Sequence, residues 1–481
     1  MNRTAHQRRS SPTGTLDLFE STSVLESRRV GAASSQGVSE KESPTESRRN
    51  GGANKLLASD KPVHDWYRFV LSFPPHLVRS YLQRFGIKKG QRVLDPFCGT
   101  GTTLVECQKL GLSSVGIEAN PMAHFATRVK LDWTPEPVEL LEHSDAVAKL
   151  ACERLSAQGI EDNPVFISPL ASSTPLRKLT PDVEKLLLKA SISPLPLHKF
   201  LVLEEILRQH RDERFERHQL LALAKALVFS ISNLQFGPEV GVGPAKADAP
   251  VVAAWLSEIR AMSDDLSNLQ PRKAGRSEAH LGDARAVTKI LEPGSIHALV
   301  TSPPYPNEKD YSRTTRLESV LLGFVKSLDD LRALKRSLVR SNTRGVYKAD
   351  DDDAWVSHHG EIQRIAAEIE ARRIALNKTS GFERLYARVT KLYFGGMARH
   401  LSELREILAP GANLAYVVGD QASYLRVLIR TGELLADISR SLGYEVVGID
   451  LFRTRLATAT KAQLREEVVV LRWPGYRKSN K

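Results

Sequence analysis

The chain is 481 residues long, 41% of its residues are hydrophobic, and 68 Lys and Arg outnumber 56 Asp and Glu, which gives a formal net charge of +12. The length suffices for two or three domains, or for one domain with large insertions, and no apolar run approaches the ~18 residues that a membrane span requires. The three cysteines form neither a disulfide framework nor a close-spaced metal cluster, so no metal is expected. The basic first residues lead into no apolar segment, so we expect a cytoplasmic protein. The positive net charge favours a polyanionic partner.

Residues 1–60 are rich in Ser, Arg, Gly and Glu and have neither helical nor strand periodicity, which predicts a disordered tail. Within this tail, Leu16, Leu18 and Phe19 form an apolar cluster. The cluster resembles the short peptides with which bacterial replication and repair proteins dock onto the sliding clamp. Because Thr15 stands where those peptides usually have Gln, weak clamp docking and a chance match both stay open.

Order is expected to begin near Lys61. Leu77, Tyr81 and Leu82 have helical spacing and follow a proline pair, which can start a helix but not continue one. Strands are predicted at 91–97 and 113–119, with a helix at 102–111 between them. This succession is a βαβ unit, which is typical of a parallel sheet.

Later apolar runs predict four more strands, at 297–301, 413–419, 445–452 and 467–471. The last two lie close enough along the chain to form an antiparallel hairpin at the sheet edge. Two long stretches, before residue 279 and after residue 305, are too long for simple connections and have helical periodicity in part. The predicted fold class is α/β: a doubly wound, mostly parallel sheet with an antiparallel C-terminal edge hairpin and two helical insertions.

The segment VLDPFCGTGTTLVECQKLG follows the first predicted strand. Asp95 ends that strand, Gly99 and Gly101 permit a tight turn with close backbone approach, and a helix begins directly afterwards. The string is neither G-x-G-x-x-G nor G-x-x-x-x-G-K, so a dinucleotide or triphosphate ligand is not expected. Glu118 ends the second strand, where a carboxylate accepts both hydroxyls of a ribose. The glycine loop and Glu118 together predict a site for a nucleoside-bearing cofactor. The alternative interpretations are an ordinary strand-to-helix turn and a solvated acid at the end of a strand.

The second informative segment is HALVTSPPYPNEKDYS, in which a predicted strand ends at Thr301. Two consecutive prolines fix the backbone and remove two amide donors, which leaves carbonyl acceptors. Ser302 and the Pro303 carbonyl can accept both hydrogens of an exocyclic amine, and Tyr305 offers a ring for a stacked base. The alternative is a proline-rich loop with a packed tyrosine.

Together the two segments resemble the DNA amino-methyltransferases, which use S-adenosylmethionine to methylate cytosine at N4 or adenine at N6. The resemblance implies a Rossmann-like methyltransferase fold and a set of cofactor-binding and catalytic residues. The methionine part of the cofactor would contact Phe73 in the helix before the loop, and Asp95, Phe97, Gly99, Thr100 and Gly101 in the loop. The ribose would bind Glu118, the adenine ring Asp283 in HLGDAR, and the target amine the catalytic turn of Ser302, Pro303, Pro304 and Tyr305.

In that family serine at the first position of the catalytic turn is more frequent among cytosine N4 enzymes. The resemblance therefore implies methylation of cytosine N4 in double-stranded DNA, with the base flipped out of the duplex. Adenine N6 methylation, an RNA amino-methyltransferase, and a non-catalytic nucleic-acid-binding protein on the same fold are the alternatives. The expected location is the bacterial cytoplasm, with nucleoid association when the protein is bound to DNA.

Basic residues after the catalytic turn are candidates for phosphate contacts. The alternative is a solvated helix face, because Asp350 to Asp353 follow closely and their carboxylates would repel phosphate. The DNA-binding candidates are Arg313, Arg316, Arg336, Arg340 and Arg344. The resulting domain division is a tail at 1–60, a cofactor-binding part at 61–134, a helical insertion at 135–278 that could read the target, core strands with the catalytic turn at 279–305, a basic helical insertion at 306–391, and the C-terminal part of the core at 392–481.

Overall fold

A seven-stranded sheet forms the centre of the protein, which we describe from a computed structural model. The structure describes residues 56–68, 72–163, 175–236, 239–269, 275–306, 309–456 and 463–476. In chain order, β1 to β9 span Arg92–Asp95, Ser113–Glu118, Leu234–Phe236, Val240–Val242, Ser277–Leu281, Ile296–Thr301, Leu408–Gly419, Glu445–Leu456 and Gln463–Arg472. The peptide predicted to dock onto a sliding clamp lies outside the described residues.

The strand order in the sheet is β5-β2-β1-β6-β7-β9-β8. The first five strands of this order are parallel, whereas β9 runs antiparallel to both β7 and β8. The predicted α/β fold class and the antiparallel edge hairpin are therefore confirmed. Because β1 lies between β2 and β6, the loop after β1 and the turn after β6 emerge side by side at the carboxyl end of the sheet.

Fifteen helices are present among the described residues, and five of them begin with a proline at their first position. Proline fits there because the first amide of a helix has no intrahelical acceptor. In chain order, α1 to α15 span Lys61–His64, Pro75–Arg84, Thr102–Lys109, Pro121–Lys130, Pro137–Ser156, Pro181–Glu184, Pro194–Gln209, Glu216–Ala226, Val251–Asn268, Tyr311–Thr314, Arg316–Leu321, Leu328–Ser337, Gly360–Ala375, Tyr386–Ile407 and Thr431–Ser441.

The first insertion contains α5 to α9 and a small hairpin of β3 and β4. Its buried side chains share one hydrophobic core with the segment around α1 and with α4. Trp255 and Phe200 of the insertion join Trp66 of the N-terminal segment and Met122 of α4 in this core. The apolar periodicity predicts helix as far as Leu234, but α8 gives way to a π-helical turn at Leu227–Ile231 and residue 234 begins β3.

The second insertion packs in two places: Leu317 of α11 joins the core of the first insertion, whereas α13 packs against α14. Ile362, Ile365 and Ile369 of α13 are buried in the same core as Tyr393 and Met397 of α14. Two of the boundaries in the domain prediction, after residues 278 and 391, fall inside β5 and α14.

Among the described residues, none of the helices combines the length and apolar character that a membrane crossing requires. Over the same residues, no group of three or more His, Cys, Asp or Glu side chains could hold a metal ion.

Candidate active site

The loop between β1 and α3 depends on two glycines in left-handed conformation. Gly99 has φ 53° and Gly101 has φ 85°. A Cβ on Gly101 would lie 2.9 Å from Thr127 Cγ2 of α4, so a side chain there is excluded by space as well as by backbone angle. The Thr127 hydroxyl donates to the Gly99 carbonyl over 2.9 Å. Helix α4 therefore supports the loop from beneath.

A buried lysine supports the same loop one helical turn further on. Lys130 Nζ donates to the Thr100 carbonyl over 3.1 Å and to the His64 carbonyl over 3.0 Å. Burial holds the pKa of Lys130 well below its ordinary value. The amine thus joins the loop to the N-terminal segment through two backbone carbonyls. No short sequence pattern indicates this role, because the contact joins segments far apart in the chain.

Glu118 ends β2 directly beside the loop. One carboxylate oxygen accepts from the Gly99 amide and the other from the Asn120 amide, each over 2.8 Å. Burial raises the pKa of Glu118 to about 7. Each carboxylate oxygen retains acceptor capacity beyond one amide, so Glu118 can still accept two hydroxyl groups from a ligand.

Asp95 lies behind the loop and bonds to the strand that carries the catalytic turn. Its Oδ1 accepts from the Thr301 hydroxyl over 2.6 Å and from the Phe97 amide over 3.2 Å. Its Oδ2 is buried and has no hydrogen-bond partner among the described residues. Burial raises the pKa of Asp95 to about 6. In this arrangement Asp95 ties β1, the loop and β6 together.

The turn after β6 brings its polar atoms against β7. Ser302 Oγ donates to the Val417 carbonyl over 3.1 Å, which leaves the oxygen lone pairs of the hydroxyl as acceptors. Tyr305 packs against Gly419, where a Cβ would lie 3.1 Å from the tyrosine ring. Burial raises the pKa of Tyr305 above its ordinary value, so its hydroxyl stays neutral.

A cavity of about 610 Å³ joins the loop and the turn. Of the residues predicted from the sequence, ten line this cavity: Phe73, Phe97, Gly99, Thr100, Glu118, Asp283, Ser302, Pro303, Pro304 and Tyr305. Asp95 and Gly101 are not among the lining residues. The cavity thus places Glu118 and the turn of Ser302 to Tyr305 in one space.

Asp283 follows β5 at the cavity wall and is held by an arginine two residues on. Arg285 donates through Nε to Oδ1 over 3.0 Å and through Nη2 to Oδ2 over 2.7 Å. The same guanidinium also donates to Asp352 of the second insertion, which is 4% exposed. Sequence reasoning missed both Arg285 and Asp352, since their pairing depends on contact between distant segments.

The five arginines proposed for DNA binding do not line the cavity, and their environments differ. Arg340 is 4% exposed, and its guanidinium bonds to Asp350 over 2.8 Å and to backbone carbonyls at the end of α12. As placed, Arg340 is a structural residue and does not face solvent, which argues against its expected phosphate contact. Arg316 is half-buried and donates to the Leu186 carbonyl, whereas Arg336 is exposed.

The aspartate run after these arginines is also partly internal. Asp350 pairs with Arg340, and Asp352 pairs with Arg285 and Arg399. These two carboxylates are neutralised inside the protein, so they repel phosphate less than their sequence position suggests.

Further charged residues surround the cavity mouth that sequence reasoning did not single out. They come from the first insertion, the loop after the turn, the edge strand β8 and its neighbour β9: Glu239, Lys309, Arg453, Arg455 and Glu466. The spacing of the two arginines on β8 was the available signal, because residues two apart share one face of a strand.

The cavity fits a ligand that carries both a nucleoside and a cationic sulfonium group. Phe73 and Phe97 provide aromatic walls, and Glu118 provides a carboxylate with acceptor capacity left. The glycine loop brings backbone atoms close to the space where a ligand would lie. These features match S-adenosylmethionine.

Comparison with known proteins gives matches along most of the chain. The family model described as DNA methylase matches residues 36–127. The type II methyltransferase M.BsoBI of Geobacillus stearothermophilus is 25% identical over 445 residues, which cover 86% of this chain and 84% of that protein. The type II methyltransferase M.AvaI of Nostoc sp. is 23% identical over 454 residues, which cover 86% and 87%.

A shorter match is to a protein that is named as a tRNA methyltransferase. The tRNA (guanine(10)-N2)-dimethyltransferase of Methanothermobacter thermautotrophicus is 45% identical over 60 residues, 12% of this chain and 18% of that protein. The long matches are to the type II methyltransferases. Together these comparisons support an S-adenosylmethionine-dependent DNA amino-methyltransferase, similar to the enzymes that methylate cytosine at N4 or adenine at N6.

Proposed function

We propose that this protein methylates the N4 amine of a cytosine that is flipped out of double-stranded DNA at a specific sequence. The observation that carries the choice of cytosine is Ser302 at the head of the catalytic turn, with its hydroxyl proton directed to the Val417 carbonyl. The full-length likeness to type II methyltransferases supports a role in site-specific modification.

Methyl transfer to the amine depends more on hydrogen-bond acceptors for its N–H groups than on a strong base. The lone pair of an exocyclic amine is delocalised into the base ring, so the nitrogen is a poor nucleophile until both of its N–H groups are held by acceptors. Ser302 Oγ and the Pro303 carbonyl are two such acceptors, and both residues line the cavity. Because their dipoles are fixed before the base arrives, little reorganisation is needed during the reaction.

S-adenosylmethionine supplies an electrophilic methyl group when it is bound. Phe73, Phe97, Gly99 and Thr100 would hold its methionine end, while Glu118 would accept the ribose hydroxyls. Asp283 would face the adenine ring, with Arg285 holding its carboxylate in place. We assign Asp95 to positioning, because it links the loop to β6 from behind the cavity wall.

Cys98 has no part in the proposed reaction. Its side chain is 4% exposed, and burial raises the pKa of its thiol well above the ordinary value. A protonated thiol is a weak nucleophile, so attack on the base ring by Cys98 is disfavoured. The proposed route is direct transfer to the amine without a covalent enzyme intermediate.

Extraction of the base from the duplex costs a few kcal/mol. Stacking on Tyr305 would offset roughly 1–3 kcal/mol of that cost. Tyr305 lines the cavity beside Ser302, so its ring is available to a base whose amine reaches the turn.

The test is to incubate the full-length protein with S-adenosylmethionine and unmethylated plasmid DNA, digest the DNA to nucleosides, and identify the product by mass. N4-methyldeoxycytidine is the expected product, and it should be absent with a Ser302→Ala variant at the same enzyme concentration and short reaction time. N6-methyldeoxyadenosine would overturn the choice of cytosine. Methylation of transfer RNA with unmodified DNA would overturn the choice of DNA.

A further inference from the structure

The small hairpin of β3 and β4 reaches from the first insertion to the mouth of the catalytic cavity. Leu234–Phe236 pairs with Val240–Val242 in an antiparallel ribbon. Glu239, directly before the second strand, lines the cavity together with the catalytic turn. The first insertion therefore has a partly exposed polar side chain at the wall of the cavity.

The second insertion meets the hairpin at this point. Arg344 Nη1 lies 3.1 Å from Glu239 Oε2, and Arg313 Nε donates to the Val240 carbonyl over 3.5 Å. The Arg344 and Glu239 side chains are 36% and 38% exposed. An ion pair this exposed is weak, so DNA can compete for both partners.

The base of the hairpin is fixed by a buried asparagine. Asn233 is 3% exposed, donates to the Ala190 carbonyl over 2.9 Å, and accepts from the Lys246 amide over 2.9 Å. Side chains alternate between the two faces of a ribbon, and Gln235 lies opposite Gly241 in the register. Gln235 therefore shares a face of the ribbon with Gly241, while Glu239 directly precedes the second strand; the Gln235 and Glu239 side chains are both exposed.

We propose that this hairpin, through its exposed Gln235 and Glu239 side chains, acts together with Arg344 to read the base edges next to the flipped base. The inference rests on the proposed function, because it concerns the DNA outside the same cavity. When a base is flipped into the cavity, the rest of its duplex stays at the mouth, so groups at the mouth face the neighbouring base pairs. Both insertions then contribute to target recognition.

The residue types favour bases over phosphates. A carboxylate repels phosphate but accepts from the exocyclic amine of a base, as Glu does with cytosine in the major groove. Arginine can bond both acceptors of guanine, and glutamine both polar groups of adenine. A two-stranded ribbon is also narrow enough to enter the major groove.

The experiment compares the methylated sequence motif of matched variants of the full-length protein. Unmethylated bacterial genomic DNA is treated with each variant, and methylated positions are read by single-molecule sequencing. Glu239→Ala and Arg344→Ala should each lower the preference at a flanking position by roughly tenfold. The controls are Glu213→Ala and Arg208→Ala in the first insertion, whose side chains are 87% and 69% exposed.

Calorimetry on the same preparations should give unchanged S-adenosylmethionine affinity. If the alanine variants fail to fold, Glu239→Gln and Arg344→Lys decide instead, because they keep most of the side-chain volume. A wild-type motif in all folded variants at both positions would overturn the inference. Absence of any methylated DNA with the wild-type protein would instead contradict the proposed function, which the same sequencing run detects.

Discussion

Ser302 has one hydroxyl proton, which the Val417 carbonyl accepts. Ser302→Ala removes one of two acceptors for the target amine, and we expect methyl transfer to slow by about 100-fold to 1000-fold. Cofactor affinity should stay unchanged. Single-turnover rates and calorimetry measure the two effects. Cys98→Ala is the matched control and should keep most of the activity; equal loss in both variants would contradict direct methylation of the amine.

Glu118 makes cofactor binding depend on pH. Burial raises its pKa from an ordinary 4.5 to about 7, so in the cofactor-free protein the carboxylate forms as pH rises through neutrality. Ribose hydroxyls need that carboxylate as acceptor, so affinity should be roughly tenfold higher at pH 8 than at pH 6. As the pH rises from 4.5 to about 7, the cofactor-free protein should become less stable. In this range the Glu118 carboxyl ionises in the unfolded state, where the charge is hydrated, before it ionises in the folded state.

The measurement is calorimetry at the two pH values with wild type and Glu118→Gln. The variant should bind more weakly at pH 8 and lack this part of the pH dependence. Equal wild-type affinity at pH 6 and pH 8 would exclude Glu118 as the ribose acceptor.

Gly101 combines a left-handed backbone with a close neighbour. Gly101→Ala should destabilise the protein by about 1–3 kcal/mol through strain and weaken S-adenosylmethionine binding, since the loop must move away from Thr127. Gly90→Ala is the matched control, because Gly90 has φ 91° and open space around it. Thermal unfolding and calorimetry separate the two contributions. Equal losses in both variants would mean that backbone angle alone matters.

At the scale of elements, the end of α12 is closed by Arg340. Its guanidinium bonds to the Asp350 carboxylate and to the carbonyls of Lys335, Arg336 and Leu338. Arg340→Ala would leave a partly buried carboxylate without its partner, and we expect a loss of about 3 kcal/mol in unfolding free energy. Denaturant unfolding measures it. Arg332→Ala on the same helix, 58% exposed, should cost less than about 1 kcal/mol.

The helices and strands that could be predicted from the sequence are those marked by a short local pattern of residues. The apolar runs at β1, β2 and β6 and the proline before α2 marked their positions to within a few residues. The start of β3 was missed because the helical periodicity continues to Leu234, while Asn233 ends it through bonds to Ala190 and Lys246. Arg340 was assigned to DNA because spacing on a helix is the same for solvated and buried arginines.

The candidate site divides in the same way. Its loop and turn are continuous motifs, so Glu118 and Ser302 could be named from the sequence. Glu239 and Lys130 reach the site through tertiary contacts, which a single sequence does not encode in any short pattern.

For the whole molecule, the net charge of +12 implies a strong dependence of DNA affinity on salt. Arg336 is exposed beside Tyr347, with its guanidinium carbon 5.4 Å from the ring centroid. Arg336→Ala should lower the slope of log affinity against log salt by about 0.9 if it contacts one phosphate. Fluorescence titrations of a labelled duplex at several salt concentrations measure the slope. Arg364→Ala, exposed on α13, serves as the control, and an equal slope in wild type and Arg336→Ala would remove Arg336 from the DNA interface.

The core shared by the first insertion and the N-terminal segment limits how such enzymes can exchange specificity by recombination. Asp265 of α9 accepts from the Val63 amide over 2.9 Å and from the Trp66 indole over 2.7 Å. A chimera that transplants the insertion alone would break these bonds and mismatch the packing around Trp255. Exchange between homologous chains should succeed when residues 61–68 and α4 are exchanged together with the insertion. These segments are continuous in space, but they are separate segments of the gene.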